Sequence, residues 1–442
     1  MHLAFTLLLL LTASLWLIFA LLTIRAARRI PTLPPLPDTP PALPRVRVVI
    51  AARDEADRIA GSVRRLLRQQ HVDLELVLVD DRSTDDTAAR AREAADGDPR
   101  LRIIRVDALP DGWLGKCHAL HLGSASLDRD WIAFLDADSW LAPDTLARAI
   151  AHARAEHAHH LCLIPGLGPT TLPGRAALTI FLMLFYITAH RVNRDAPRAY
   201  LGVGAFNLLS RTAHNAINPH QLLRLEVADD IYLGLAIRAH GGRARCALAI
   251  HELEVHWVRS ARSLIRLLEK NQFAAIGYSL AKVALAITTL LTLWTLGHFA
   301  WLRADAPGIA ATITMLCAMP AAHLVARRHN WGWTTAALAF TITPWLSMWA
   351  LLHSTILTLK RRGVRWRDTT YPLSSLRSAR KQLLKHLRNA DPSTLSSPPA
   401  PDNAPPSHTP ADLTHSPARC NHHSPTPVEP MLTPNRTHDG TR

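Results

Sequence analysis

Four stretches of this chain, residues 3–24, 283–302, 307–325 and 331–359, contain no Asp, Glu, Lys or Arg. Each approaches or exceeds the roughly 20 apolar residues that a helix needs to cross a bilayer. A water-soluble fold rarely holds even one such run. The last three also lie nearly end to end, which makes buried core helices a poor account of them. The pattern predicts an integral membrane protein. Arg25, Arg28 and Arg29 follow the first run, whereas Met1 and His2 ahead of it bring no Lys or Arg. A cleaved signal carries its positive charge before the apolar core, so residues 1–24 read as an anchor. The positive-inside rule then places residue 25 onward in the cytoplasm, at the inner (plasma) membrane.

The formal net charge of the 442-residue chain is +15. Much of it flanks the apolar runs, at Arg25–Arg29, Arg327–Arg328 and Lys360–Arg367, where it meets anionic headgroups. No helix-turn-helix, zinc-finger spacing or aromatic-basic motif accompanies it, so nucleic acid is not an expected partner. The five cysteines share no metal-ligand spacing and fit a reduced compartment without a disulfide framework.

Residues 25–44 form a basic and proline-rich linker, expected to act as a semi-extended spacer that holds a domain slightly off the membrane. From 45 to 278, strand-like and helix-like signals alternate. "VRVVIA", "LELVLV", "LRIIRV" and "WIAFL" read as strands, and residues 57–70, 83–95 and 115–127 as helices. This βαβα alternation predicts an α/β fold with a mostly parallel, Rossmann-like sheet. The apolar run 176–190 is short for a span and reads as an interfacial or core helix. A membrane region, 279–359, and a basic cytoplasmic segment, 360–385, come next. Residues 386–442 have little to bury and hold 12 of the chain's 31 prolines from 392 onward, so this segment reads as a disordered tail.

Acids stand where the strands end. Asp54 and Glu55 follow the first, Asp80 and Asp81 end the second, and Asp136 and Asp138 end the fourth. Open α/β sheets bind their ligands outside the carboxyl ends of the strands. A single Asp there is usually a turn former or helix cap. Several acids along one edge repel one another unless a cation sits among them, and hard ions such as Mg²⁺ take carboxylate oxygens while keeping room for phosphate.

In order along the chain, "VVIAARDEADRI", "VLVDDRSTDDT", "GWLGKCHAL", "FLDADSW", "GVGAFNLLSR" and "LEVADDIYLG" resemble the motifs of family 2 glycosyltransferases with a GT-A, nucleotide-sugar-binding fold. The resemblance is to the membrane-anchored, non-processive branch that includes hopene-associated, carotenoid-type and ceramide glucosyltransferases. "GVRWRDTTYPL", after the last apolar run, is similar to a W-R-x-x-x-Y element of these enzymes.

The resemblance implies that Asp80 and Asp81 bind the uracil and ribose of a UDP-sugar, with Glu55 or Asp54 nearby and Lys116 close to the nucleotide or diphosphate. It implies a D-x-D metal site for Mg²⁺ or Mn²⁺, with Asp138 the more direct ligand and Asp136 beside it. Asp230 takes the place of the base that deprotonates the acceptor, and Asp229 that of the acid before it. Arg259 is a candidate partner for diphosphate. The Q-x-x-R-W element of processive members is missing near "HWVRSARS", which favours transfer of a single sugar, with inversion, to a lipid hydroxyl. The rivals are a processive polysaccharide synthase, a membrane nucleotidyltransferase and an inactive nucleotide-binding scaffold. A transporter is disfavoured, because none of the four apolar runs holds an acid. Three full spans after the domain would put Lys360–Arg367 outside, against the positive-inside rule. Residues 331–359, interrupted by Pro344, are therefore expected to enter and leave on one side as a broken, re-entrant or interfacial hairpin, the rival being a tilted full span with an exterior tail.

Overall fold

The computed structural model describes the backbone of residues 2–37, 43–256 and 261–399, and the side chains of all of these except 261–264, 266 and 267. Helix α1 (His2–Arg29) precedes an α/β domain. Its elements are β1 (Arg45–Ala52), α2 (Ala56–Leu67), β2 (Asp73–Asp81), α3 (Thr87–Ala95), β3 (Leu101–Val106), α4 (Gly115–Ser124), β4 (Trp131–Asp136) and β5 (Ser139–Leu141). They continue with α5 (Thr145–Ala155), β6 (His160–Leu167), α6 (Leu172–Asn193), β7 (Asn207–Ser210), α7 (Arg211–Ile217), α8 (Pro219–Leu222), α9 (Asp229–Ala239) and β8 (Ala244–Val255). Then come α10 (Ala261–Ala275), α11 (Leu280–Phe299), α12 (Ala306–Arg328), α13 (Trp333–Lys360), a hairpin of β9 (Gly363–Trp366) and β10 (Thr369–Pro372), and α14 (Leu373–Arg388).

The eight-stranded sheet has the order β3-β2-β1-β4-β7-β6-β8-β5. Strands β3, β2, β1 and β4 are parallel, as are β6 and β8, whereas β7 and β5 run antiparallel to their neighbours. The inner strands are buried almost throughout, β1 and β4 with one or two partial exceptions each, which is why they read as continuous apolar runs. Strand β1 lies between β2 and β4 in a register that pairs Ala52 with Asp80 and Ala51 with Asp136. This register brings the strand-end acids to one edge.

Five helices are long and apolar enough to cross a membrane: α1, α6, α11 with its short continuation to Arg303, α12 and α13. Their contacts separate two kinds. Helices α1, α11 and α12 pack side by side, with Trp16 of α1 donating to the carbonyl of Leu293 (3.3 Å). At the end away from the domain, Leu9 and Ala13 meet Ala300 and Ala311. At the near end, Arg328 donates to the carbonyl of Ala27 (3.0 Å). Helix α6 instead leaves β6 and returns to the domain, where Asn193 exchanges two hydrogen bonds with Cys246 (both 2.8 Å).

Helix α13 corrects the expectation of a broken hairpin. It is one helix of 28 residues that passes through Pro344. An interior proline removes one backbone bond and costs about 3 kcal/mol, which long packing against α6 and α10 offsets. Thr343 donates to the carbonyl of Ala176 (2.9 Å), and Ser354 accepts from the amide of Phe273 (3.1 Å). Both ends of α13 nevertheless meet the domain side. Its start comes after Arg328 and His329, the latter bonded to Tyr186 of α6 (3.4 Å). Its end leads to Arg361, paired with Glu269, and then to the β9–β10 hairpin, where Tyr371 accepts from the amide of Gly115 (3.2 Å). The run is thus one unbroken helix, long and apolar enough to cross a bilayer, and its two ends touch α6, α10 and the domain.

Two further expectations change. The linker is not a spacer at its start. Thr32 pairs with Leu248 of β8, through bonds from the Leu248 amide to Pro31 (2.8 Å) and from the Leu33 amide to Leu248 (2.7 Å). Arg148 holds the carbonyls of Leu33 and Pro34. The segment read as a tail from 386 begins inside α14, which runs through Arg388. Leu395 is buried, with its amide bonded to His240 (2.9 Å). Residues 400–442 lie outside the described residues.

We expect the domain and α14 on the same side of a membrane and the α11–α12 turn on the other. With the native cysteines removed, single cysteines replacing Arg92 and Lys381 should react alike with an impermeant thiol reagent in intact cells. One replacing Leu302 should behave oppositely. Labelling of the Lys381 position with protection of the Arg92 position would mean that α13 crosses the bilayer.

Candidate functional site

The carboxyl ends of β1, β2 and β4 and the start of α9 converge on one partly buried charge cluster, in which Asp136 keeps 41% of its side chain exposed. Lys116, one residue into α4, is its centre. Its ammonium donates to Asp136 Oδ1 (2.9 Å) and lies 3.7 Å from Asp229 Oδ2. Burial alone would lower its pKa, but the carboxylates of Asp136, Asp229 and Asp230 hold it well above the ordinary lysine value. In return, Lys116 keeps Asp136 below the usual carboxylate range against the opposing effect of burial.

The two acids of α9 differ. Asp229 is raised by burial and by Asp136, with Lys116 opposing. Asp230 is pushed up to about 6 by burial and by its neighbour Asp229. Its Oδ2 accepts from the amide of Gly204 (2.9 Å), and its Oδ1 from the amide of Ile231 (2.8 Å). Glycine is required at 204, because a Cβ there would stand 2.7 Å from Asp136 Oδ2 and 3.3 Å from Asp230 Oδ2. At Gly202 a Cβ would meet the backbone oxygen of Asp230 at 1.8 Å. The "GVGAF" segment is thus the wall that lets both carboxylates approach.

Asp138 lies at the start of β5's turn with its carboxylate 3.3 Å from Arg58 of α2. Burial, with the charges of Asp136 and Glu55, pushes it up to about 6 despite Arg58. Glu55 is also raised by burial, although Arg367 of the β9–β10 turn binds it (2.6 Å). Asp54 accepts from the amide and hydroxyl of Thr84 (2.8 and 3.1 Å), tying the loops after β1 and β2 together. Asp80 is buried and accepts from the amide of Ser83 (3.1 Å). Asp81 holds Arg82 by two bonds (2.8 and 3.0 Å).

Glu55, Asp54, Asp80, Asp81, Lys116, Asp136, Asp138, Asp229 and Asp230 therefore all stand on one edge of the sheet. They form two groups, the acids at the ends of β1 and β2 and the Lys116 cluster, with Asp138 between them. Arg259 lies outside the described residues. Among the described residues no three His, Cys, Asp or Glu side chains converge as a metal-binding group. The D-x-D acids still fit an ion such as Mg²⁺, which takes one or two carboxylates and completes its shell with water and phosphate. Asp138, raised by burial and by two neighbouring acids, lacks positive charge in the way such a ligand would.

The sequence reading missed three cations at this edge. Lys270 of α10 is lowered by burial and by Lys116, with Asp229, Asp136 and Asp230 opposing, and it stands 4.0 Å from the ring centroid of Trp366. Arg58 and Arg367 pair with Asp138 and Glu55. Only a lone lysine on the amphipathic helix "LIRLLEKNQ" hinted at Lys270, and nothing in the sequence tied residue 367 to residue 55. An open groove of about 560 Å³ lies elsewhere, between α14 and the loop before α9, and is not where the acids meet.

Residues 47–217 match the family described as Glycosyl transferase family 2. This part of the chain is a family 2 glycosyltransferase domain. The match includes every acid from Asp54 to Asp138 and ends before Asp229. Among curated proteins, the chain is 37% identical over 140 residues to the succinoglycan biosynthesis protein ExoO of Rhizobium meliloti, covering 31% of this chain and 38% of that one. It is 32% identical over 110 residues to the 4,4'-diaponeurosporenoate glycosyltransferase of Staphylococcus haemolyticus, covering 25% of this chain and 28% of that one. The chain thus spans about a third of the length of the curated relatives it matches. A solved mannosyltransferase of Pyrobaculum calidifontis, in complex with GDP-Man and Mn²⁺, aligns over 80% of this chain and 98% of its own, with a TM-score of 0.45 and 18% identity.

Lys116 supplies the charge that lets three carboxylates share one buried site. In Lys116→Met, the folded-state pKa values of Asp136, Asp229 and Asp230 should rise. A raised folded carboxyl takes up protons on folding, so stability falls as pH climbs through its value. Because Asp136 is 41% exposed, solvent screens part of the pairing, and its loss costs about 1–2 kcal/mol. The variant should show a deficit of that order in thermal melts at neutral pH and a smaller one near about pH 5. A deficit constant over this range would remove Lys116 from the role of counter-charge.

Proposed function

We propose that this protein is a membrane-anchored, inverting glycosyltransferase that moves one sugar from a nucleotide-diphosphate sugar to a hydroxyl of a membrane lipid, on the cytoplasmic face of the inner membrane. The observation that carries this reading is the single charge cluster in which Lys116 joins Asp136, at a strand end inside the family 2 domain, to Asp229 and Asp230 beyond it. Donor-side and acceptor-side groups then share one edge of the sheet.

In this reading Asp80 and Asp81 accept hydrogen bonds from the base and ribose of the donor, most simply a UDP-sugar, with Asp54 and Glu55 fixing the loop beside them. Asp138, with Asp136 beside it, would hold a divalent cation, Mg²⁺ or Mn²⁺. That ion supplies charge neutralisation at the diphosphate. Lys116 and Lys270 add fixed positive charge next to the same place. Asp230 removes the proton of the acceptor hydroxyl as its oxygen bonds to the anomeric carbon. The bond from that carbon to the diphosphate oxygen breaks in the same displacement, and the nucleoside diphosphate leaves with the electron pair. One displacement inverts the anomeric centre. Burial keeps Asp230 near 6, so it is ionised yet basic at neutral pH.

A lipid acceptor is supported by the apolar helices α6 and α13 packed on the domain, and by a relative whose name is that of a 4,4'-diaponeurosporenoate glycosyltransferase. The cytoplasmic side is supported by Arg25, Arg28 and Arg29 at the domain end of α1.

The test uses membrane vesicles enriched in the full chain, supplied with radiolabelled UDP-glucose, UDP-galactose, UDP-N-acetylglucosamine or GDP-mannose and extracted with chloroform–methanol. One donor should label the lipid phase, and excess chelator should stop it. Asp230→Asn should lower transfer by about 10²–10⁴-fold while leaving calorimetric binding of the nucleoside diphosphate intact. Asp138→Asn should remove several kcal/mol of transition-state stabilisation. In the parent, kcat should fall as pH drops below about 6, the value of Asp230. No lipid label from any donor, or full activity in chelator, would count against the reading.

A further inference from the structure

Glu226 and Arg380 form a nearly fully buried ion pair, with 3% and 6% of their surfaces exposed. Nothing in the proposed reaction uses either residue. Arg380 Nε donates to Glu226 Oε2 (2.9 Å), and its Nη2 donates to Oε1. The guanidinium also lies between the rings of Tyr232 and Tyr278, 5.0 and 5.1 Å from their centroids, and donates to the carbonyl of Ala274.

Each contact of the pair leads to a different part of the protein. Glu226 Oε1 accepts from the amide of Ala228 (3.2 Å), the residue directly before Asp229. The Glu226 carbonyl accepts from the thiol of Cys117 (3.8 Å), which directly follows Lys116. The Glu226 carboxylate therefore sets the backbone that presents Asp229 and Asp230, and its carbonyl touches the helix that presents Lys116. Tyr232 lies in the first turn of α9. Ala274 is the last residue but one of α10, and Tyr278 stands at the foot of α11, where Arg377 of α14 also holds its carbonyl (2.7 Å). Arg380 belongs to α14, which comes after the last apolar helix.

We propose that the Glu226–Arg380 pair is a positioning device that fixes where Asp229 and Asp230 stand relative to Lys116 and ties that placement to α14 and to the foot of the α11–α12 pair. A pair that served stability alone needs no bond to the residue before the acids and none to the helix carrying their counter-charge. A bidentate guanidinium–carboxylate bond suits this role because it fixes orientation as well as distance. Lysine in place of Arg380 keeps a charge but loses the fork, and with it the simultaneous hold on Glu226 and Ala274.

The experiment has two arms, and only the kinetic arm rests on the glycosyl-transfer reading. The first is hydrogen–deuterium exchange on the full chain in lipid nanodiscs. It compares the parent, Arg380→Gln, Arg380→Lys and a control, Arg245→Gln, which removes a guanidinium paired with Glu156 and Asp195 far from the acids. Peptides covering residues 226–236 should exchange about tenfold faster in Arg380→Gln and at the parental rate in the control. The second arm uses whichever of the four radiolabelled nucleotide sugars labels lipid. Arg380→Gln should lower kcat about a hundredfold, the effect of a misplacement near 1 Å, with the donor KM within about twofold. Arg380→Lys should recover part of kcat. Unchanged exchange in 226–236, or a kcat that stays at the parental value, or a donor KM that rises as much as kcat falls, overturns the proposal. If exchange accelerates as stated while the parent transfers no sugar from any donor, the transfer reading fails and the positioning role stands.

Discussion

The site depends on one ammonium group. Asp136, Asp229 and Asp230 are brought together by three separate features: the register of β4 against β1, the start of α9, and two glycines that allow close approach. None of these makes three neighbouring carboxylates tolerable so close together. Lys116 does in part, by standing 2.9 Å from one and 3.7 Å from another. One ammonium does not cancel three carboxylates, and a diphosphate entering here would add further negative charge. The two carboxyls raised to about 6, Asp138 and Asp230, mark where compensation is thinnest. These are the positions to which the proposed reaction assigns a cation on one side and a proton acceptor on the other.

The α/β class, the four strands and the strand-end acids were legible because each rests on local sequence. A buried parallel strand must be apolar throughout, and the chain must turn where the strand stops. The reading faltered where distant segments decide. Helix α3 was expected from Ser83 and begins at Thr87, because Asp85 turns its carboxylate back onto the amide of Thr87 (3.0 Å) and Asp54 takes Thr84. Lys270 carries no motif and matters only because α10 folds back over the acids. The Arg367–Glu55 contact joins residues more than three hundred positions apart, across all the later apolar helices, and no local pattern records it. Pro344 misled for a related reason. Its local effect is to break a helix, but here α6 and α10 supply enough packing for α13 to run through it.

The later helices divide the work of holding the protein in a membrane from that of closing the site. Helices α11 and α12 leave the domain and return to it beside α1. Helix α13 starts and ends against the domain and the helices packed on it, so the charged hairpin after it reaches the strand ends. Part of the excess of Lys and Arg after residue 359 thus lies beside the site. It also explains why an enzyme-like domain ends its fold with residues that come after its membrane region. Arg367, Trp366, Tyr371 and Arg380 are all delivered by α13.

The attachment of α1 has a consequence for modularity. The chain leaves the anchor at Arg29 and is bonded to β8 by residues 31–33, so almost no free length separates the apolar helix from the sheet. Anchor and domain are therefore not interchangeable parts joined by a tether. A different anchor grafted at residue 43 would omit the segment that pairs with Leu248 and leave Arg148 without the two carbonyls it holds. The same shortness fixes how far the strand ends stand from the anchor helix. The sheet is held at one height along that helix, as a clamp holds a shelf to its post.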